Sequence, residues 1–220
     1  MNNPTSREEL IAALTDGLTP IRRVRPAHGA ALIAFATLLA GLAAVLVFGL
    51  WSGLLAGQVS AFFWITNGLL ALLGAASTAA LVSTALPRVG ARSSAPWWSA
   101  AMLGVIPAAA IITLVSHGAG HVHAASLADP GLLHWECTAY GLIAALVVAA
   151  AAVAFLRRGA PVSLERAGWL TGLASGALGS LAYGITCPHD TLGHVGLWHT
   201  APVALAALAC RFAVPPLIRW

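Results

Sequence analysis

Six long apolar segments follow one another along this chain, separated by polar or arginine-containing stretches. The segments cover residues 30–51, 60–86, 97–116, 137–156, 167–187 and 196–214. Each is about 20 residues long, and none alternates apolar with polar positions, so each predicts an α-helix long enough to cross the hydrocarbon core of a bilayer. We therefore expect an all-α integral membrane protein, a bundle of six transmembrane helices.

The composition agrees with this pattern. Of the 220 residues, 59% are hydrophobic and only 8% are charged. A soluble domain of this size does not need so large an apolar fraction to fill its core. In lipid the backbone must satisfy its own hydrogen bonds, which allows helical bundles or closed barrels. The absence of alternation in the apolar segments excludes the barrel.

The basic residues are distributed asymmetrically, and this predicts the orientation. All 11 are arginines, at positions 7, 22, 23, 25, 88, 92, 157, 158, 166, 211 and 219. The loops 52–59, 117–136 and 188–195 contain none. Since six spans alternate sides, every arginine falls on one side, and the positive-inside rule makes that side cytoplasmic. We predict cytoplasmic N- and C-termini. The net charge of +4 then reflects the asymmetry of the membrane loops, and we expect contact with membrane lipid but no direct binding of nucleic acid.

Residues 1–29 form a segment of different character, which we treat as a unit apart from the transmembrane domain, residues 30–220. Thr5 and Ser6 each precede a glutamate by three residues, which is the spacing of a capping box. One face of the short helix that follows is apolar and consists of Leu10, Ile11, Leu14 and Leu18. Such a helix either lies on the membrane surface or docks on a protein partner.

Two cysteines mark the side that lacks arginine. Cys137 opens the fourth segment and Cys187 closes the fifth. Consecutive antiparallel spans are usually neighbours, so we expect the two sulfurs at similar depth and close together. Three interpretations compete for this pair: a structural disulfide, a pair of metal ligands, and a redox-reactive pair.

Histidines and acids accompany the cysteines and favour metal binding. The candidate ligands are Cys137, Cys187, His134, Glu136, His189, Asp190 and His199. Nitrogen and sulfur ligands together suit zinc, copper or cadmium, and we expect no organic cofactor. The polar stretch 186–199 also holds His194.

Three further histidines, His117, His121 and His123, form a second possible metal patch. Hydrogen bonding to lipid headgroups is the simpler explanation for them. A haem held by His117 and His199 would instead indicate an electron carrier.

Glycine spacing in the fifth segment predicts close helix packing. Gly168, Gly172 and Gly176 recur every four residues, which lets another helix approach closely. Pro107 and Pro202 lie within the third and sixth segments and should kink them.

The order of these features resembles a known protein family. A short helix is followed by the run PIRRVRP at residues 20–26, Cys137 precedes the fourth segment, and the block GWLTGLASGALGSLAYGITCP spans residues 168–188, with Asp190 and the pair Trp198-His199 beyond it. This pattern is similar to that of the NrsF family. These are anti-sigma factors of the bacterial inner membrane, and they hold an extracytoplasmic-function sigma factor of the sigma F type. The resemblance covers nearly the whole chain.

The resemblance implies a regulatory function without catalysis. It implies that the N-terminal segment, with Leu10, Ile11, Leu14 and Leu18, binds the sigma factor on the cytoplasmic side. It also implies that Cys137 and Cys187 match the family's two external cysteines, which are associated with responses to heavy metals such as chromate and cadmium. We therefore predict a multi-pass stress sensor that releases its sigma factor on metal binding or oxidation. The alternative is a membrane metal-handling or redox protein that binds copper or haem through external histidines.

Overall fold

The structure is a computed structural model that describes residues 6–16, 24–86, 94–118 and 135–219. Within these ranges the chain forms nine helices and no strand, so the prediction of an all-α protein is confirmed. The helices are α1 (Arg7–Thr15), α2 (Pro26–Phe48), α3 (Ser52–Leu55), α4 (Ala61–Thr84), α5 (Ala95–Gly118), α6 (Trp135–Leu156), α7 (Leu164–Gly184), α8 (Leu192–Trp198) and α9 (Ala201–Leu217).

Five stretches of helix in the described residues are long and apolar enough to cross a membrane. They are Pro26–Phe48, Ala61–Thr84, Ala95–Ile112, Trp135–Leu156 and Leu192–Leu217. These correspond, within a few residues, to the predicted segments one to four and six. The fifth predicted segment is α7, which has the length of a span but a lower apolar content, because glycine, serine and threonine recur along it. The five stretches identify a membrane protein.

Helix α7 lies at the centre of the bundle, where it packs against α4, α6 and α9. Its glycines make this packing close. A Cβ atom added at Gly172 would lie 2.4 Å from the Ala206 carbonyl oxygen and 2.4 Å from the Cα atom of Ala207. Gly168 and Gly176 meet the backbone of α9 in the same way. The four-residue glycine spacing therefore lets α9 approach α7 closely, as predicted.

One end of the bundle carries five of the described arginines, and we call it the arginine end. It contains Arg25, Arg157, Arg158, Arg166 and Arg211. Two contacts join helices here: the amide of Ala160 donates to the carbonyl of Ala85 over 3.4 Å, and Arg211 pairs with Glu165 at 2.9 Å.

At the opposite end, which we call the cysteine end, the end of α7 contacts the residue before α3, and the first turn of α6 contacts the end of α8. The amide of Trp51 donates to the Ile185 carbonyl over 3.4 Å. The Thr138 hydroxyl donates to the Trp198 carbonyl over 2.9 Å. The chain thus brings Cys137 and Cys187 to the end of the bundle that is distant from the arginine end.

The sixth predicted segment consists of two helices, α8 and α9, and not of one kinked helix. The Thr191 hydroxyl accepts a hydrogen bond from the amide of His194 over 3.3 Å and thereby caps α8, which ends at His199. Helix α9 begins at Ala201, so Pro202 lies in its first turn. A proline there sacrifices no helical hydrogen bond, because the first amides of a helix have no partner within the helix.

Helix α1 forms as the capping-box spacing predicts. The Ser6 hydroxyl accepts from the amide of Glu9, and the Glu9 carboxylate accepts from the amide of Ser6, each over 3.1 Å. Every residue of α1 is exposed, including the apolar Leu10, Ile11 and Leu14. Leu18 lies outside the described residues.

The contact between α7 and α9 yields a stability prediction. We expect Gly172→Ala to lower the thermal midpoint of the purified protein in detergent by several degrees, because its methyl group would meet the α9 backbone and overpacking costs about 1–3 kcal/mol. Gly68→Ala is the matched control, since a Cβ at Gly68 meets no atom within 4 Å. Equal midpoints for the two variants would contradict the close approach.

Candidate thiol and metal site

Four buried side chains meet at the cysteine end of the bundle: Cys137, Cys187, His194 and His199. Each offers one sulfur or nitrogen donor atom, and these four atoms all lie within 4.8 Å of one another. The exposed fractions are 6% for Cys137, 1% for Cys187, 4% for His194 and 3% for His199. We call this group the thiol–imidazole cluster.

Each member of the cluster is positioned by a different part of the fold. Cys137 lies in the first turn of α6. Cys187 follows the end of α7, where its amide donates to the Gly184 carbonyl over 3.3 Å. His194 lies on α8, and His199 is the residue at which α8 ends. The antiparallel packing of α6 on α7 brings together cysteines that are 50 residues apart in the sequence.

The two cysteines are close but not bonded. Their Sγ atoms are 3.7 Å apart, whereas a disulfide bond is about 2.05 Å long. All three cysteines of the chain are free thiols in this structure. The Cys187 Sγ atom also lies 3.4 Å from Nε2 of His194. Of the three interpretations, metal ligation and reversible oxidation both fit this geometry.

The environment of Cys187 favours its protonated form when no metal is bound. Its hydrogen bond with Cys137, together with its burial, raises the pKa of the Cys187 thiol. A thiol is a much weaker nucleophile and metal ligand than a thiolate. Metal binding must therefore displace a proton from this residue.

Hydrogen bonds fix the junction between α8 and α9 beside the cysteines. The Ser180 hydroxyl of α7 donates to the His199 carbonyl over 2.5 Å. The Thr138 hydroxyl of α6 donates to the neighbouring carbonyl of Trp198. Both bonds use backbone oxygens, so they hold the junction without occupying the imidazole of His199.

Aromatic rings cover the cluster on the side of α2. The Tyr183 ring stacks on the His199 ring with centroids 6.2 Å apart, and Phe48 contacts the edge of Tyr183 at 5.6 Å. Tyr140 packs against Tyr183 at 5.4 Å. These rings shield the cluster from its surroundings, which strengthens polar interactions within it.

Three of the seven predicted metal ligands, Cys137, Cys187 and His199, belong to the cluster. Glu136 is exposed on the first turn of α6. His189 is exposed, with its ring centroid 5.0 Å from that of His194. Asp190 turns to α4, where its carboxylate accepts from the amide of Ser60 over 2.7 Å. His134, His121, His123 and the side chain of His117 lie outside the described residues.

His194 is the cluster member that sequence reasoning did not select as a ligand. The stretch 188–195 was expected to be a loop, but residues 192–198 form α8. The N-terminal signal of this helix was present in the sequence, because Thr191 stands three residues before His194 and can cap it. A helix beginning there would have placed His194 within its first turn.

Comparison with known proteins gives one match. The family model described as NrsF, negative regulator of sigma F, matches residues 14–220. No curated protein and no solved structure matches. The match begins within α1 and includes all four residues of the thiol–imidazole cluster.

The 3.7 Å approach of the sulfurs predicts a specific oxidation product. We expect diamide to convert the Cys137 and Cys187 thiols into one intramolecular disulfide, with two electrons and two protons passing to the azo group of diamide. Peptide mapping of non-reduced protein by mass spectrometry would detect the linked peptides. Cys210→Ser should give the same product, and a disulfide that involves Cys210 in the unmutated chain would contradict the geometry.

Proposed function

The chain belongs to the NrsF family, the negative regulators of sigma F, and on that premise we propose that it is a membrane anti-sigma factor whose thiol–imidazole cluster senses heavy metal or oxidation. The observation that carries this proposal is the family match over residues 14–220, which includes a buried group of four thiol and imidazole side chains. A negative regulator of a sigma factor has that sigma factor as its partner.

We propose that α7 spans the membrane in addition to the five stretches described above, which gives six spans. Both termini then lie on the cytoplasmic side of the bacterial inner membrane. Helix α7 is 21 residues long, enough to cross the hydrocarbon core. It is surrounded by helices that are themselves apolar, so it needs little contact with lipid. The arginine end then faces the cytoplasm. The cysteine end then faces the periplasm, the side from which external oxidants and metals arrive.

Helix α1 is the proposed docking element for the sigma factor. Leu10, Ile11 and Leu14 are 46%, 51% and 67% exposed, and they lie on one face of the helix. Exposed apolar residues at this spacing are what a helix presents to a groove on a partner protein. The docking unit comprises residues 1–29, and Leu18 would extend the same face. Of the two interpretations of this helix, the proposal therefore chooses docking on the cytoplasmic sigma factor over binding to the membrane surface.

The coupling between the cluster and the cytoplasm is proposed to run through α7 and α9. His199 lies two residues before the start of α9, and α9 then packs along the glycines of α7 toward the Arg211–Glu165 pair at the arginine end. A change at His199 can therefore displace a helix that reaches the cytoplasmic side. A metal or oxidant shifts the protein between states only if it favours one of them.

The haem alternative is not supported at this cluster. Four donor atoms within 4.8 Å of one another leave room for a single ion but not for a porphyrin between the two histidines. The haem ligands predicted from the sequence are His117 and His199, and the side chain of His117 lies outside the described residues. Copper, as an ion, remains compatible with the donor set of the cluster.

Substitutions on α1 test the docking proposal. Leu10→Asp and Leu14→Asp should each reduce capture of the sigma factor in a pull-down at least tenfold, because a carboxylate would replace a buried apolar contact. Ala12→Asp is the matched control, since it adds the same charge on the opposite face of the helix. Removal of residues 1–26 should abolish capture. Undiminished capture by the truncated chain would assign the docking surface to another region.

Substitutions of the cysteines test the sensor. Cys137→Ser and Cys187→Ser should prevent induction of a sigma-F-dependent reporter by cadmium or chromate, because serine neither oxidises to a disulfide nor ligates soft metals well. Cys210→Ser is the matched control and should respond as the unmutated chain does. Immunoblotting must show equal protein levels. Normal induction in both cluster variants would refute the sensing role of the thiols and leave the anti-sigma function intact.

A further inference from the structure

We infer that His194 and His199 complete a four-coordinate tetrahedral centre with Cys137 and Cys187, and that this centre binds a thiophilic divalent ion of the zinc group, Zn²⁺ or Cd²⁺. The inference rests on the proposed function only for the consequence of binding. The site itself follows from the positions, burial and chemistry of the four side chains.

The distances between donor atoms match those of a tetrahedral ion site. Zinc lies about 2.3 Å from thiolate sulfur and about 2.05 Å from imidazole nitrogen, so tetrahedral angles place two sulfurs about 3.8 Å apart and a sulfur and a nitrogen about 3.6 Å apart. The Sγ atoms of Cys137 and Cys187 are 3.7 Å apart. Sγ of Cys187 and Nε2 of His194 are 3.4 Å apart. These two distances already fit an ion, and the donor atoms that lie up to 4.8 Å apart must move closer together when it binds.

His199 supplies an independent indication of a ligand. Its side chain is 3% exposed, and its Nε2 atom has no hydrogen-bond partner among the described residues. A buried polar atom without a partner destabilises a folded protein, and the large majority of such atoms in proteins are paired. The atom belongs to a residue whose donor lies within 4.8 Å of two thiols and a second imidazole. A metal ion bound there would satisfy it.

The Asn67 side chain lies near the ring of His199 but makes no hydrogen bond to it. A Cβ atom added at Gly184 would lie 3.4 Å from the other ring nitrogen of His199, Nδ1. The same Cβ atom would lie 2.9 Å from the side-chain oxygen of Asn67, so both atoms are near Gly184. The Asn67 oxygen also has no hydrogen-bond partner among the described residues. Metal-binding histidines commonly donate their second N–H to an oxygen of this kind, which fixes the ring for ligation through Nε2.

The donor set determines the class of ion. Two thiolates and two imidazoles are soft to borderline ligands, which select zinc-group ions and disfavour Mg²⁺ and Ca²⁺. The two thiolates neutralise the charge of a divalent ion, so the buried centre carries no net charge. Four protein ligands also leave no open position, as in structural or regulatory sites and unlike catalytic ones.

Metal binding would have a defined mechanical consequence. The ion would connect α6 through Cys137, the end of α7 through Cys187, and the α8–α9 junction through His194 and His199. Oxidation of the two thiols would connect only α6 and the end of α7 and would leave the imidazoles without an ion. Metal and oxidant would therefore produce different arrangements at the start of α9.

The test is a metal titration of the full-length, reduced, metal-free protein in detergent. Co²⁺ serves as the spectroscopic probe. We expect one equivalent to bind with the intense visible bands of a tetrahedral ion and a thiolate-to-cobalt charge-transfer band in the near ultraviolet. Zn²⁺ or Cd²⁺ should displace it. The absence of binding, or an octahedral spectrum without thiolate charge transfer, would overturn the inference.

Variants assign the ligands. Cys137→Ser, Cys187→Ser, His194→Ala and His199→Ala should each weaken Zn²⁺ binding at least 100-fold and abolish the tetrahedral spectrum. Cys210→Ser and His28→Ala, one cysteine and one exposed histidine outside the cluster, should bind within about threefold of the unmutated chain. Undiminished affinity and spectrum in both histidine variants would refute the four-ligand centre. A loss in His189→Ala but not in His194→Ala would assign the ligand to His189 and refute the set proposed.

Two controls keep the outcomes separable. Circular dichroism and gel filtration identify variants that do not fold, and His194→Gln and His199→Gln, which preserve bulk, replace any alanine variant that fails. Sigma-factor capture by the metal-free protein tests the proposed function independently. Capture without metal binding would refute only the metal centre, and metal binding without capture would refute only the anti-sigma function.

Discussion

The close contact between the glycine face of α7 and the backbone of α9 is the constraint on which the rest of the structure depends. Within a bilayer, apolar side chains gain little by leaving lipid for protein, so helices associate through close packing and polar contacts. Gly168, Gly172 and Gly176 allow backbone to approach backbone. On another side of α7, a Cβ at Gly179 would lie 2.4 Å from the amide nitrogen of Ala145 on α6. Helix α7 is thus packed between α6 and α9, and the first turns of these two helices lie near each other at the cysteine end.

The cluster at the cysteine end follows from this arrangement. Since α6 and α9 both pack tightly on α7, the first turn of α6 and the α8–α9 junction must lie beside the residues that follow α7. Ser180 and Thr138 then hold the junction by donating to backbone carbonyls. The imidazole of His199 is left to face the thiols. A group of buried titratable side chains so placed is typical of a functional site.

Much of the fold could be predicted because membrane constraints act over long segments. A run of about 20 apolar residues is sufficient to predict a span, and the glycine spacing predicted the close contact of α7. The family resemblance, recognised mainly from residues 168–199, is confirmed by the match over residues 14–220. Two candidate pairs, Thr5 with Glu8 and Ser6 with Glu9, predicted a capping box at the start of α1, and the second pair forms it, because a capping box is a local interaction.

The composition of the cluster could be predicted only in part. Sequence alone places several histidines and acids at the same membrane surface, but it does not tell which of them turn inward. Asp190 bonds to the start of α4, a contact between residues 130 positions apart that no local pattern predicts. His194 points inward because α8 is a separate helix. In the sequence, the break between α8 and α9 lies inside the predicted apolar segment 196–214.

The polar character of α7 also bears on how the protein is assembled. Its glycine, serine and threonine residues make it the long buried helix least suited to partition into lipid by itself, and they are what allow its neighbours to approach. A segment of this kind gains its stability in the bilayer from partners that are already present. If α7 spans the bilayer as proposed, it would enter the membrane with α6 as a helical hairpin during synthesis. The cysteine end would be completed only when α9, which follows α7 in the chain, closes over the glycine face.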